Sequence, residues 1–414
     1  MDDRLLKRLA EEHGTPLYVY DERRIRSNLR RYVRAFRSRY PKVRIFYAYK
    51  ANTSLAVCRI MKSEGAGADV VSAGELRTAL KVGLRPEQIL YTSNSKTPAD
   101  LEEAVRAGVM INVDSVDEIE ILGRIARRLR KDTRISFRIN PSVNPRTHPK
   151  IATGLRNSKF GLHVEKNIAY DAYIKASRME NILVAGLQTH IGSQILETRG
   201  FEDATRKVME FAGKLAEAGI SLEFIDLGGG LGIPYQGKAA LTPEKLASRI
   251  VPIFREGVRA LGYTPELWLE PGRYIVGDAG ILLTRVNSVK RTPYKNFVNV
   301  DCGFNTLMRP AMYGSYHRVS VLGRSGSRSK YDVAGNVCES GDILARDRSL
   351  PRVRAGDLIA VYDAGAYGFS MASEYNSQPL TAEVLVSGGR SHLIRERGRQ
   401  DDLYRRQKIP AHLR

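Results

Sequence analysis

Residues 44–50, RIFYAYK, are the first of a series of similar runs that decide the fold. Four of the six residues from Ile45 to Lys50 are β-branched or aromatic, which predicts a buried strand that ends on a single amine. Further apolar runs of this kind follow along the chain, namely ADVVSAG, QILYTSNS, VMINVDS, RISFRIN, LVAGLQTHIG, LEFIDLGGG and ELWLEPGR. Segments with helical spacing, such as TPADLEEAVRAG, separate most of these runs.

This alternation of strands and helices predicts a parallel sheet, because continuous apolar strands joined by helices are buried on both faces. Eight such units over about 230 residues have the size of a (β/α)8 barrel, which we assign to residues 25–278. An open doubly wound sheet is the competing interpretation of the same pattern.

The pattern changes after Gly277. Short β-type runs with Gly, Asn and Asp between them, such as NFVNVDCG and DLIAVYDAG, show little helical periodicity and predict an antiparallel β domain. We assign residues 279–414 to this domain as a Greek-key-like β region. Residues 1–24 are added because the run PLYVYD is a strand candidate that precedes the first barrel helix. The predicted fold class is therefore α/β plus all-β.

The charge of the chain is strongly basic. A net charge of +21, from 66 Lys and Arg against 45 Asp and Glu, would attract polyanions. The basic residues nevertheless alternate with acidic ones in helical stretches such as EIEILGRIARRLRKD, which is typical of a solvated helix face, and no RNA-binding signature accompanies them. We expect no specific nucleic-acid partner, and an RNA-binding module remains an alternative.

The first residues, MDDRLLKRLAEEHG, predict a charged amphipathic helix without the apolar core of a signal peptide. No run of about 18 apolar residues is present, so we expect no membrane span and a cytoplasmic location. The cysteines Cys58, Cys302 and Cys338 form no CxxC pair, which predicts neither a disulfide framework nor a metal site.

Polar residues at the predicted strand ends are the candidates for chemistry, because barrels of this kind place the active site at the C-terminal ends of their strands. Such residues follow strands one, six, seven and eight, and they are Lys50, His190, the three glycines Gly228, Gly229 and Gly230, and Glu270 with Arg273.

These residue types suit one cofactor. Desolvation lowers the pKa of a buried amine, so Lys50 is a candidate for imine formation with an aldehyde. Successive glycines leave backbone N–H groups open to a phosphate, with Arg273 and Ser193 available nearby. A carboxylate such as Glu270 keeps a pyridine nitrogen protonated, and His190 could stack on the ring. Together they predict pyridoxal 5'-phosphate; taken singly, they could be a snorkelling lysine, a tight turn and a core histidine.

Seven motifs carry a resemblance to a known family. The segments YAYKAN, HIGSQ, GGGLGIPY, EPGRYIV, NTLMRPAMY, CESGDIL and GAYGFSMASEYNSQP resemble the fold-type III pyridoxal-phosphate decarboxylases, and among them the diaminopimelate decarboxylase family. The likeness extends from about Pro16 to Val386, with the motifs in family order. It implies an alanine-racemase-like barrel, a C-terminal β domain, and a homodimer whose active sites form at the subunit interface.

The implied reaction is the decarboxylation of meso-2,6-diaminopimelate to L-lysine and CO2. By resemblance, Arg273 and Arg309 with Tyr313 hold the carboxylate at the end of the substrate that does not react, and Glu339 holds the ammonium there. The planar fork of arginine suits a carboxylate, because it offers two charge-assisted hydrogen bonds.

The resemblance also implies roles for three further residues. Cys338, from the neighbouring subunit, returns a proton to Cα, while Tyr375 touches the phosphate and lies near the substrate, and Gly272 belongs to the cofactor site. The chain has Gln378 where the family commonly has arginine, so the detail of that loop departs from the family pattern.

Three related alternatives stay open at this point. A decarboxylase of the same fold acting on ornithine or lysine would leave Arg273 and Arg309 facing no carboxylate, which is unfavourable. A racemase of the alanine type would need a catalytic tyrosine opposite the lysine. A non-catalytic pyridoxal-phosphate carrier would resemble the barrel alone.

Overall fold

The computed structural model describes residues 1–145, 147–237 and 240–413. These residues form two compact units. The barrel unit comprises residues 26–234 and 240–275, and the β unit comprises residues 1–25, 235–237 and 276–413.

The helices are α1 (Asp3–His13), α2 (Glu22–Arg37), α3 (Leu55–Ser63), α4 (Ala73–Lys81), α5 (Pro98–Ala107), α6 (Val116–Leu129), α7 (Ile168–Ser177), α8 (Arg199–Glu217), α9 (Pro243–Leu261), α10 (Arg273–Val276) and α11 (Arg309–Tyr313). The strands are β1 (Leu17–Asp21), β2 (Val43–Ala48), β3 (Gly67–Val70), β4 (Ile89–Tyr91), β5 (Met110–Val113), β6 (Thr133–Asn140), β7 (Leu162–His163), β8 (Ile182–Gln188), β9 (Phe224–Asp226), β10 (Glu266–Leu269), β11 (Gly280–Arg291), β12 (Asn296–Val300), β13 (Val319–Val321), β14 (Arg328–Ala334), β15 (Ile343–Pro351), β16 (Leu358–Val361), β17 (Ala382–Ser387) and β18 (Arg390–Arg395).

The barrel unit contains a closed parallel sheet. Its strands follow the order β2, β3, β4, β5, β6, β8, β9 and β10, and β10 pairs with β2 to close the ring. Each strand coincides with one of the eight runs that the sequence singles out. The predicted (β/α)8 barrel is therefore confirmed, and the open sheet is excluded, since an open sheet has no pairing between its edge strands.

Local sequence signals fix the helices around this barrel. In α5, Thr97 accepts a hydrogen bond from the Asp100 backbone N–H while the Asp100 side chain accepts one from Thr97, which is a capping box. The same helix ends on Gly108 in a left-handed conformation, as its sequence predicts. The side chains of Ser72 and Ser115 cap α4 and α6 by accepting a hydrogen bond from a backbone N–H of the first turn.

The barrel interior is a filled core. One apolar cluster joins side chains from six different barrel strands, and its members are Phe46, Leu90, Met110, Ala185, Phe224 and Trp268. The Phe224 and Trp268 rings stack with their centroids 3.5 Å apart. The polar residues that follow the strands lie beyond this apolar cluster, at the rim, where chemistry is possible.

The β unit is built on a second sheet of nine strands. β1 lies in this sheet, antiparallel to β11 and parallel to β17. β12 and β14 are also parallel, so the sheet is mostly antiparallel and departs from the predicted pattern at these two pairs. Helix α1 packs Leu6, Leu9 and Ala10 into the same apolar core as Leu17 and Leu283. Among the described residues, no helix has the length and apolar character needed to cross a membrane.

Candidate active site

Lys50 lies just beyond the first barrel strand. β2 ends at Ala48, and Lys50 lies in the 3-10 turn Tyr49–Ala51 that follows, so the prediction that it ends the strand itself is wrong by two residues. Its Nζ lies 3.0 Å from Oδ2 of Asp69, which is fully buried on β3. The Lys50 side chain is 34% exposed. The ion pair therefore holds the Lys50 amine at the rim of the barrel and leaves it partly exposed.

His190 follows β8 and is a neutral imidazole. Its Nδ1 accepts a hydrogen bond from the backbone N–H of Gly229 at 3.2 Å, so the ring proton is on Nε2. Burial lowers the pKa of His190 well below its usual value, and the nearby charges of Lys50 and Arg138 lower it further. An uncharged, oriented ring of this kind can stack on a flat ligand.

The glycine loop follows β9, and its backbone leaves no room for side chains. Gly228 and Gly230 have φ angles of 70° and 111°. A Cβ on Gly229 would lie 2.0 Å from the carbonyl oxygen of Glu270. Any larger residue would push the loop away from the neighbouring strand end.

Two of the three glycine N–H groups already donate to acceptors within the protein, so fewer N–H groups of this loop are available to a phosphate than the sequence suggests. Gly228 N–H donates to Oδ1 of Asp226 at 2.7 Å, and Gly229 N–H donates to His190. Within the described ranges, the Gly230 N–H has no acceptor. Of the three, Gly230 is the glycine that can donate to a ligand.

Arg273 begins α10 in the loop after β10 and is 6% exposed. Its Nη2 and Nε lie 3.0 and 3.3 Å from Oγ of Ser193. Gly272 lets this loop approach the Lys50 turn, because a Cβ there would lie 3.1 Å from the Cβ atoms of Ala48 and Ala51. The barrel rim therefore brings a cation and a hydroxyl group together.

Glu270 lies at the end of a buried chain of hydrogen bonds. It is 3% exposed, and its Oε1 accepts from Nε2 of Gln188 at 3.0 Å. Gln188 in turn accepts from Asn112 at 3.2 Å, and Asn112 accepts from Ser136 at 2.8 Å. This series of hydrogen bonds orients the Gln188 amide so that its NH2 group faces Glu270.

Asp226 is the second buried carboxyl group at this rim. It is fully buried, and its Oδ2 accepts no hydrogen bond from the described residues. Burial raises the pKa of Asp226 to about 7 and raises the pKa of Glu270 well above its ordinary value, and the pKa of Glu270 rises further because Asp226 and Asp69 are close. The pair therefore holds a proton near neutral pH.

This proton has a consequence for stability. An unfolded aspartate titrates near about 4, so between about pH 4 and 7 the folded chain binds a proton that the unfolded chain lacks. Stability should therefore fall as the pH rises through this interval, and the loss should be complete only once the pH exceeds the raised pKa values of both carboxyl groups in the folded chain. We expect the unfolding midpoint of the ligand-free protein to decrease by a few degrees, on the order of 3 °C, from this pair. Asp226→Asn should flatten the decrease in thermal unfolding scans; an unchanged pH slope would contradict the shared proton.

Arg309 lies at the start of α11 in the β unit and is 3% exposed. Its guanidinium carbon lies 4.4 Å from the ring centroid of Tyr235, and its Nη1 lies 2.9 Å from Nε2 of the buried His317. Tyr313, half-buried, ends the same short helix. Arg309 is therefore a buried cation, whereas an arginine considered without its neighbouring motif would be expected on the surface.

Cys338, Glu339 and Tyr375 lie together on the surface of the β unit. All three are exposed. The Cys338 N–H donates to Oδ1 of Asn376 at 2.9 Å, and the Tyr375 hydroxyl donates to Oε1 of Glu339 at 2.8 Å. These two bonds join the segments CESGD and EYNS into one cluster that presents a thiol, a carboxylate and a phenol.

Four residues to which the sequence assigns no role are placed as follows. Cys58 and Cys302 are buried. Lys159 is exposed, with its Nζ 5.1 Å from the Phe160 ring centroid. Asp69, which the sequence leaves unassigned, holds Lys50.

Sequence reasoning missed Gln188, Asp226 and His317. A signal was present for the first two, because a polar residue in an otherwise apolar strand needs a buried partner. For His317, the short run YHRV carries no comparable signal.

Comparisons with a family model, with related sequences and with a solved structure all identify the same family of enzymes. The family model for the pyridoxal-binding domain of pyridoxal-dependent decarboxylases matches residues 26–277. The diaminopimelate decarboxylase of Archaeoglobus fulgidus is 50% identical over 98% of this chain and 96% of its own length. That of Methanothermobacter thermautotrophicus is 50% identical over 98% of this chain and 94% of its own. A crystal structure of the M. jannaschii diaminopimelate decarboxylase with L-lysine superposes with a TM-score of 0.94 at 42% identity, covering 98% of this chain and 95% of that one.

Proposed function

Because the chain belongs to the diaminopimelate decarboxylases within the pyridoxal-dependent decarboxylase family, we propose that it decarboxylates meso-2,6-diaminopimelate to L-lysine and CO2 with pyridoxal 5'-phosphate. One structural observation carries the proposal. Four strand ends of a single barrel rim present an amine, a neutral imidazole, a glycine loop next to an arginine, and a buried carboxyl pair. This combination of groups suits pyridoxal 5'-phosphate.

The residues of the rim fit this cofactor. The glycine loop is a cradle that a Cβ would fill, and the Gly230 N–H has no acceptor within the described ranges. Gly230, Ser193, Gly272 and Arg273 would hold the phosphate, and Lys50 would hold the aldehyde. His190 would lie on the ring, and Glu270 would hold the ring nitrogen. When bound, the cofactor supplies an electron sink for the pair of electrons left on Cα.

The reaction breaks one carbon–carbon bond. The carboxylate leaves as CO2, its bonding electrons stay on Cα, and one proton replaces it there. The proton held by Asp226 and Glu270 lets the pair present a hydrogen to the ring nitrogen, and His190, being neutral, adds no charge beside it. Asp69 keeps the Lys50 amine oriented towards the rim. These residues bind and orient; they do not themselves break the bond.

The β unit would contribute several groups to recognition of the distal end of the substrate. Arg309 with Tyr313 would bind the distal carboxylate, together with Arg273, and Glu339 and Tyr375 would bind the distal ammonium. With a substrate that lacks the distal carboxylate, Arg309 would lose the charge-assisted hydrogen bonds that a carboxylate offers, and binding would be weaker by that amount. Ornithine or lysine as substrate would not form these bonds, so the buried Arg309 favours a substrate with two carboxylates.

Proton return to Cα is proposed for Cys338, acting from the partner subunit of a homodimer. Support comes from its exposure, which makes the thiol reachable by a second chain, and from the Glu339 and Tyr375 groups beside it.

We further propose that residues 25–278 form the cofactor domain and that residues 1–24 and 279–414 form the substrate-recognition domain. A cytoplasmic location is proposed from the sequence pattern alone.

The test is CO2 release by the purified enzyme with added cofactor. We expect meso-diaminopimelate to be used with a kcat/KM at least about a hundredfold above those of D-lysine, L-lysine and L-ornithine, because only it satisfies the distal arginines while offering a second carboxylate to lose. Comparable release from L-ornithine or L-lysine would replace the proposed substrate with a mono-carboxylate one.

A further inference from the structure

His317 lies fully buried in the β unit, between the buried cation and the main chain. Its Nδ1 lies 2.9 Å from the carbonyl oxygen of Tyr362, and its Nε2 lies 2.9 Å from Nη1 of Arg309. The imidazole also meets the ring of Tyr235 edge-on, with centroids 5.3 Å apart and an interplanar angle of 70°. The ring is therefore fixed in position by contacts on three sides.

Contacts with Tyr362 and Arg309 decide where the proton of His317 lies. A carbonyl oxygen only accepts hydrogen bonds, so Nδ1 carries the proton and donates to Tyr362. A guanidinium nitrogen only donates, so Nε2 is unprotonated and accepts from Arg309. Both bonds form only when the imidazole is neutral and in the Nδ1–H tautomer.

We infer that His317 is a positioning residue that orients the Arg309 guanidinium for the distal carboxylate of the substrate. The inference rests on the proposed function, in which Arg309 binds that carboxylate. It concerns neither the cofactor nor the bond that breaks.

A neutral acceptor suits this task better than an acidic one. A carboxylate beside Arg309 would orient the guanidinium equally well, but it would also cancel the charge that attracts the ligand. The neutral imidazole accepts from one N–H of the guanidinium without adding a negative charge beside it, while the face of Tyr235 at 4.4 Å limits rotation of the guanidinium plane. A planar cation held in one orientation can meet a carboxylate through two parallel hydrogen bonds.

The test compares two amide variants of the holoenzyme. In His317→Gln the side-chain oxygen can take the place of Nε2 and keep the acceptor for Arg309. In His317→Asn the shorter amide can keep the donor towards Tyr362 but cannot reach Arg309. Ser320→Ala is a matched control, because it removes a contact at 3.1 Å with the hydroxyl of the same Tyr362 and does not involve Arg309. Arg309→Ala sets the scale for complete loss.

The ligands are chosen to differ by one group. L-lysine retains the distal carboxylate and ammonium, and cadaverine is the same chain without the carboxylate. We expect His317→Asn to weaken L-lysine binding in calorimetry by about tenfold or more, and to raise KM for meso-diaminopimelate similarly with kcat nearly unchanged. His317→Gln should stay within about threefold of the unaltered enzyme, and cadaverine inhibition and cofactor affinity should not change.

Each other outcome has a definite meaning. Equal weakening of L-lysine and cadaverine, or no weakening of either, would overturn the positioning role while leaving the proposed function intact. If His317→Asn shows no cooperative thermal transition, His317→Gln decides, because loss of L-lysine affinity in that folded variant would overturn the role of the acceptor. A lack of CO2 release from meso-diaminopimelate by the unaltered enzyme would instead contradict the proposed function.

Discussion

Lys50→Ala is expected to reduce CO2 release from meso-diaminopimelate by on the order of a thousandfold or more, because it removes the amine that would bind the aldehyde covalently. The same change should remove the visible absorbance of the covalently attached cofactor. Asp69 would then face a cavity instead of an ammonium group, so a modest loss of stability should accompany the loss of activity. The measurements are CO2 release, the visible spectrum and thermal unfolding of the purified variant.

The control for this experiment is Lys81→Ala, which alters an exposed lysine at the end of α4 and should leave colour and activity unchanged. Borohydride reduction followed by peptide mapping gives a second readout. In the unaltered enzyme it should place the pyridoxyl group on residue 50. A pyridoxyl group on any other lysine, or retained covalent absorbance in Lys50→Ala, would show that the amine has been assigned to the wrong residue.

The barrel was predictable from sequence because its signal is local. Each of its strands is a short apolar run, and helices such as α5 carry their own capping residues, so neighbouring positions settle the fold segment by segment. The strand ends were predictable for the same reason, since Lys50, His190 and Glu270 each directly follow a recognisable run. The error of two residues at Lys50 arises because a 3-10 turn continues the apolar pattern past the last paired residue.

The support around these residues was not predictable in this way, because its contacts join distant parts of the chain. Glu270 meets Gln188, which lies 82 residues earlier. Asp226 differs from Asp69 although both are aspartates buried in strands, since Asp69 forms the ion pair with Lys50, whereas Oδ2 of Asp226 accepts no hydrogen bond from the described residues. Which buried polar residues meet is set by the register of a closed barrel, and no local pattern encodes it.

Basic residues on the barrel helices pair with acidic residues on neighbouring helices. Arg77 on α4 pairs with Glu103 on α5 at 2.7 Å, and Arg31 on α2 pairs with Glu244 on α9 at 2.7 Å. Exposed pairs of this kind contribute only about 0–1 kcal/mol each, so they keep helix surfaces solvated more than they stabilise the barrel. Nothing in the structure explains why the chain carries a net +21.

Mixing two inactive variants is expected to restore activity if the sites are shared between subunits. Lys50→Ala lacks the amine of its barrel, and Cys338→Ala lacks the thiol that we propose acts in the partner's barrel. In a mixed homodimer, the intact Lys50 of one chain meets the intact Cys338 of the other, while the second site carries both defects. With random exchange, half of the dimers are mixed, so about a quarter of the sites should work.

This mixing experiment distinguishes active sites that two subunits share from active sites that one chain forms alone. Each variant alone should show almost no CO2 release, so recovery to about a quarter of the unaltered rate is a large and unambiguous change. The control pairs Lys50→Ala with Lys50→Gln, where no arrangement of chains gives an intact amine and no recovery is possible.

Because Cys338 and Glu339 are exposed and tied by hydrogen bonds to the Tyr375 segment, the whole cluster should act in one site as a unit. Glu339→Ala should then complement Lys50→Ala as Cys338→Ala does. Absence of recovery in both mixtures, after differently tagged chains have been shown to exchange, would place Cys338 and Glu339 outside a shared site.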